Sequence, residues 1–155
     1  AYSSEPWYYD LRGFFILTFS YQTSLWSQIQ LFANRFGNDH LEVAIGSGTL
    51  VELILGWRKI SKKPAGNIVA FDYAEKMLQG ARHRFRNNLK IKLLRADAAN
   101  IPLSSNTFDT ANIANAMHCL PDIQKSLSEI HRVLKPSGTL TGNCLLYPKS
   151  GKMLT

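Results

Sequence analysis

Leu41-Glu42-Val43-Ala44-Ile45-Gly46-Ser47-Gly48-Thr49 runs from a short apolar stretch straight into two closely spaced glycines. A strand that ends this way lets the backbone turn sharply and lets a ligand approach main-chain atoms. Outward from this turn, apolar runs and helical periodicity alternate. Leu41 to Ile45 reads as the first strand, Ile68 to Asp72 (IVAFD) as the second and Ile91 to Asp97 (IKLLRAD) as the third. Asp109 to Ala116 is a weaker fourth strand, and Thr139 to Tyr147 (TLTGNCLLY) a fifth. Between them, Thr49 to about Lys59 reads as helix, as does Ala74 to Asn87, with Met77, Leu78, Ala81 and Phe85 on one face. Asp122 caps a further helix that runs through Ile123, Leu127, Ile130, Val133 and Leu134 and stops at Lys135-Pro136-Ser137-Gly138. Ahead of the first strand, Tyr8 to Phe36 reads as a helical region ending at Gly37-Asn38-Asp39. Strands alternating with helices require parallel pairing, with helices on both faces of the sheet.

Composition limits what this fold serves. A chain of 155 residues, 45% hydrophobic and 19% charged, is long enough for one globular domain with a real core. Its formal charge of +7 favours polyanions in general. The basic runs Arg58 to Pro64 and Ala81 to Lys92, however, contain no interleaved aromatic pattern, so nucleic acid is not expected as a partner. Gly13 to Asn34 holds no charged residue and is long enough to span a bilayer, but polar residues from Thr18 to Gln30 interrupt it. It reads as a buried or amphipathic helix, with interfacial membrane contact as the remaining option and no transmembrane segment. Cys119 and Cys144 lack metal-ligand spacing. No metal site is expected, and a reducing, cytoplasmic setting is. The opening AYSSEPWYYD has no basic stretch leading into an apolar run, so no secretory leader is expected.

Two acids stand at strand ends. Asp72 closes the second strand, where a carboxylate can accept hydrogen bonds from two vicinal hydroxyls of a ribose; its plainer reading is a helix N-cap. Asp97, in Ala96-Asp97-Ala98, closes the third and can accept from an adenine amino group; its plainer reading is a turn residue. With the glycine turn, three ligand-type features then lie at the carboxyl ends of three successive strands, where open parallel sheets bind ligands.

EVAIGSGT, IVAFDYAEKML, LLRADAANIPLSSNTFD and IHRVLKPSGTL together resemble the successive motifs of class I S-adenosylmethionine-dependent methyltransferases, over about Leu41 to Leu146. Within that family the motifs resemble the methyltransferase type 11 and ubiquinone-menaquinone biosynthesis methyltransferases. The resemblance implies a Rossmann-like αβα sandwich of strand order 3-2-1-4-5, with S-adenosylmethionine as cofactor and S-adenosylhomocysteine as product. It implies that Glu42 orders the glycine loop and reaches the cofactor's amino group through water. Gly46, Ser47 and Gly48 would pass under the methionine part, and Asp72 would bind the ribose. Tyr73 and Met77 would pack near the adenosine, Asp97 and Ala98 would contact adenine, and Ala114 would line the methionine end.

Two departures from the pattern matter. Ala44 stands where most of the family has its first glycine, a substitution tolerated in the quinone-biosynthesis branch. The sequence also stops at Thr155, where the fold normally adds a helix and strands six and seven. That ending reads as a fragment or a shortened form, with residues 39–155 as a truncated cofactor domain and 1–38 as a helical lid or substrate-side segment. Strand five would then be an edge open to another copy.

The expected activity is methyl transfer to a small-molecule acceptor. The aromatics Trp7, Tyr8, Tyr9, Phe14, Phe15 and Trp26 hint at a lipophilic one. If a base is needed, His118, just beyond strand four, and Tyr9 in the N-terminal segment are the candidates. Two rivals remain. A non-catalytic cofactor-binding or regulatory module would use the same motifs. A nicotinamide-dependent oxidoreductase would want a third glycine where the sequence has Leu50 and Val51.

Overall fold

The computed structural model describes residues 24–63 and 66–144. In chain order the elements are α1 (Leu25–Ala33), β1 (Asp39–Val43), α2 (Thr49–Ile60), β2 (Asn67–Asp72), α3 (Glu75–Phe85), β3 (Ile91–Arg95), β4 (Phe108–Ile113), a 3-10 turn (Met117–Cys119), α4 (Ile123–Val133) and β5 (Leu134–Gly142). The five strands form one sheet of order β3-β2-β1-β4-β5, with every pairing parallel. Both the strand order and the α/β class match the sequence expectation.

The order reverses between β1 and β4. From β1 the chain steps outward to β2 and β3, while β4 returns beside β1 and steps the other way to β5. Right-handed crossovers then put α2 and α3 on one face and α4 on the other. The cores agree. Phe32, Ala33, Val51, Ile54, Ile68, Ala70, Leu78 and Phe85 pack together beneath α1, α2 and α3. Leu41, Val43, Phe71, Ala111, Ile113, Ile130 and Val133 pack on the α4 side. Alternation along each strand sends His40 and Glu42 to the first face and Leu41 and Val43 to the second.

Boundaries shift where the backbone turns left-handed. β1 ends at Val43 rather than Ile45, because Ala44 takes φ 55°. β4 ends at Ile113 rather than Ala116, two residues ahead of Asn115, which also has φ 55°. At the fourth helix the Asp122 carboxylate accepts from the Lys125 amide at 2.9 Å, as a cap should. β5, however, begins directly at Leu134, so Lys135 to Gly138 belong to the strand, whose pairing slips between Phe108 and Thr110. The expected reach of the N-terminal helix back to Tyr8 and of the last strand on to Tyr147 lies outside the described residues. No helix among the described residues is long and apolar enough to cross a membrane.

Candidate functional site

The glycine turn after β1 is wound by three left-handed residues: Ala44 (φ 55°), Gly46 (φ 60°) and Gly48 (φ 83°). At Ala44 that conformation costs roughly 1 kcal/mol, a penalty glycine escapes. The two glycines face different surroundings. A Cβ built on Gly46 would meet no atom of the described residues within 4 Å beyond its chain neighbours, so among them that flank of the turn is open. One built on Gly48 would come within 2.5 Å of the Phe85 ring, so that flank is packed against α3. Gly48→Ala is therefore expected to lose about 1–2 kcal/mol in urea denaturation, from the φ penalty and the displaced ring together.

Asp72 ties the strand ends together. Its Oδ2 accepts from the Gly46 amide at 2.8 Å, and its Oδ1 from the Ala74 amide at 2.8 Å. The Ala96 amide, just past β3, donates to the Asp72 carbonyl at 3.2 Å. The cap residue of α3 is Ala74, so Asp72 is not the N-cap that its plainer reading supposed. Burial raises its pKa above the ordinary carboxylate range, against the opposing pull of the Ala74, Gly46 and Tyr73 amides. Each carboxylate oxygen keeps a lone pair beyond the one it has committed, enough for two further donors.

The remaining candidates stand in varied settings. Asp97 is exposed, with Oδ1 accepting from the Ala99 amide at 2.9 Å, while Ala98 is buried. Tyr73 is 68% exposed and carries the Arg95 guanidinium 5.7 Å from its ring centroid. Met77 is 2% exposed and so belongs to the interior. Ser47 is buried, and Ala114 is half-buried against the α1–α3 core. His118 is exposed on the 3-10 turn. Tyr9 lies outside the described residues, and among those described no cluster of three His, Cys, Asp or Glu could hold a metal.

Behind the turn lies a polar row. Glu42, Asn112 and Thr141 are register partners across β1, β4 and β5, and all three are buried. Among the described residues, both polar atoms of the Asn112 amide, the Thr141 hydroxyl and Gln28 Nε2 have no hydrogen-bond partner. Each such atom costs about 1–3 kcal/mol unless a ligand or water meets it.

Two supporting residues escaped the sequence reading. Arg84, in the basic run Ala81 to Lys92, donates from Nε to the Ser47 carbonyl at 3.1 Å and from Nη2 to Thr49 Oγ1 at 3.0 Å, and it pairs with Glu52. It thus fastens α3 to the glycine turn. His40 touches Glu42, and the strand spacing of two that puts them on one face was the available signal. A depression of about 360 Å³ beside Arg84, lined by Glu52, Leu55, Phe85, Asn87 and Asn88, includes none of the strand-end residues.

Comparison with known proteins adds the following. A family described as "Methyltransferase domain" matches residues 41–141. The chain is 35% identical over 75 residues to a demethylmenaquinone methyltransferase of Staphylococcus carnosus, covering 48% of this chain and 31% of that protein. It is 30% identical over 117 residues to an uncharacterized chloroplastic methyltransferase of Arabidopsis thaliana, covering 72% of this chain and 32% of that one. Among solved structures, a SAM-dependent methyltransferase from Aquifex aeolicus superposes with a TM-score of 0.61 at 25% identity, covering 79% of this chain and 62% of that one. The chain spans about a third of the length of these two curated relatives.

Proposed function

This chain belongs to the methyltransferase domain family, and from that premise we propose that it binds S-adenosylmethionine at the carboxyl ends of β1 to β3 and transfers the methyl group to a small-molecule acceptor. The observation that carries the reading is the buried Asp72 carboxylate hydrogen-bonded to the amide of Gly46, whose own flank is open. The residues fit the cofactor. Asp72 retains acceptor capacity for two ribose hydroxyls, the open side of Gly46 admits a chain against the backbone, and Glu42 carries a carboxylate on β1 two residues ahead of the turn.

When bound, the cofactor supplies an electrophilic methyl group on a sulfonium. The protein's part is to position and to exclude water. Asp72 fixes the ribose, and the turn from Gly46 to Gly48 fixes the methionine end. Asp97 and the Ala98 amide take the adenine, Tyr73 borders the adenosine with Met77 packed behind in the interior, and Ala114 limits the methionine end. In this reading residues 1–38 serve as a lid or substrate-side segment and 39–155 as the cofactor domain. A lipophilic acceptor fits best, supported by the demethylmenaquinone methyltransferase relative and by the aromatic N-terminal sequence. His118 is the base candidate for an acceptor that must lose a proton.

Calorimetric titration with S-adenosylmethionine, S-adenosylhomocysteine and NAD tests the reading. Saturable binding of both sulfur compounds, with none of NAD, is expected. No heat with either sulfur compound at millimolar concentration would sink it. Binding without methyl transfer to any quinone or phenol acceptor would leave a cofactor-binding module instead.

A further inference from the structure

We propose that His40 is a positioning residue for Glu42, fixing its carboxylate on β1, just ahead of the glycine turn, through a one-directional chain of hydrogen bonds that starts at the Gly37 amide. This rests on the reading above, in which Glu42 serves the cofactor's methionine end.

The contacts are continuous. The Gly37 N–H donates to Thr110 Oγ1 at 2.8 Å, Thr110 Oγ1 lies 2.7 Å from His40 Nδ1, and His40 Nε2 lies 3.2 Å from Glu42 Oε2. Donor and acceptor roles follow from the carboxylate end. A carboxylate only accepts, so Nε2 carries the proton and donates. In the neutral ring Nδ1 then presents a lone pair, and the Thr110 hydroxyl donates into it. The oxygen of that hydroxyl accepts from Gly37. Every group in the chain gives in one direction and receives from the other, which fixes the imidazole tautomer.

The ring has little freedom. It is fully buried and stacked on Phe36, with centroids 3.5 Å apart and planes at 21°. Phe36 in turn has the Arg58 guanidinium 5.0 Å from its centroid. Gly37 belongs to the device, because a Cβ there would approach the Asp109 Cβ at 2.8 Å. Among the described residues, His40 is the only hydrogen-bond partner of the Glu42 carboxylate, whose side chain is 3% exposed. With that partner lost, the carboxylate keeps its burial and loses its orientation.

Two measurements on the full 155-residue chain test the proposal. The first is calorimetric titration with S-adenosylhomocysteine, with thermal melting as the control for folding. His40→Leu is expected to weaken binding roughly tenfold, and His40→Gln, which keeps an N–H donor, to recover part of it. Adding His40→Leu to Glu42→Gln should cost nothing beyond Glu42→Gln alone. Unchanged affinity in a folded His40→Leu, or fully additive losses, would overturn the proposal. If His40→Leu does not fold, Thr110→Val carries the same test: weaker binding supports the chain, and unchanged binding refutes it. The second is 15N NMR of the His40 ring, where a proton on Nε2 is expected and one on Nδ1 refutes the chain. Should the wild-type chain bind no S-adenosylhomocysteine, the functional reading fails, and the ring spectrum still decides the role of His40.

Discussion

Asp72→Ala is expected to weaken S-adenosylhomocysteine binding by about a hundredfold or more, while the chain remains folded. A carboxylate that accepts two ribose hydroxyls makes two charge-assisted bonds, each worth about 1.5–3 kcal/mol. Its loss should also reduce stability, because the Gly46 and Ala74 amides lose their acceptor. That second effect is smaller, about 1–2 kcal/mol, since removing a buried charge returns part of its desolvation cost. The mutant should therefore melt a few degrees lower and bind far worse. The reverse pattern, a large fall in stability with affinity kept, would make Asp72 a structural strut.

The raised pKa of Asp72 adds a pH signature. Hydroxyl donors are held by the ionised form, so affinity should fall with acidification at a higher pH than an ordinary carboxylate would set. Stability runs the other way. The fold favours the protonated acid, so this residue's contribution is fully present below its unfolded pKa and is lost as pH rises through the folded value. Asp72→Asn should remove both dependences, a result readable from titrations and urea midpoints at several pH values.

The fold was legible because each level of the sequence agreed with the next. The alternation from Leu41 to Leu140 imposes parallel strands, and the reversal at β1 and β4 follows once β2 and β3 lie on one side. What the sequence hid was local backbone. LEVAI reads as five strand residues, but the chain turns left-handed at Ala44 and the strand gains Asp39 and His40 at its other end instead. Lys-Pro-Ser-Gly looks like a stop between helix and strand, yet it fits inside β5 because the pairing is irregular there and Pro136 is not asked to donate.

The proposed site is legible in sequence through residue types at strand ends and opaque in the residues that support them. Gly46 and Asp72 stand out by type and strand-end position. Arg84 does not, because a cation in a basic helix looks the same whether it is solvated or reaches the Ser47 carbonyl 37 positions earlier. His40 and the orphaned Asn112 are equally silent, since their meaning comes from neighbours on other strands.

Removal of Glu129 should show how firmly the segment after Asp97 and Ala98, the proposed adenine side, is held. Its carboxylate accepts from Arg132 Nε at 2.7 Å and Nη2 at 2.8 Å, and from the Ile101 amide at 2.9 Å. Arg132 continues to the carbonyls of Leu103 and Ile101, both at 2.9 Å. Helix α4 thereby fastens the segment that follows Asp97 and Ala98. Glu129→Ala should cost about 2–3 kcal/mol at neutral pH, a fall of roughly 4–10 °C in melting temperature, with the ion pair itself discounted for partial exposure.

The Arg132 hydrogen bond is the chief reason that the Glu129 pKa falls from 4.5 to about 2. A depressed acid contributes stability that is complete above its unfolded value and disappears as pH falls through the folded one. The stability gap between wild type and Glu129→Ala should therefore be constant from neutral pH down to about 5 and narrow steadily toward 2. Cofactor affinity should drop only several-fold, because Asp72 and the glycine turn are untouched. If the gap did not narrow in acid, the ionised Glu129–Arg132 pair would not be what secures this segment, and the apolar packing of Ile101 and Leu103 against the α4 face would have to do so instead.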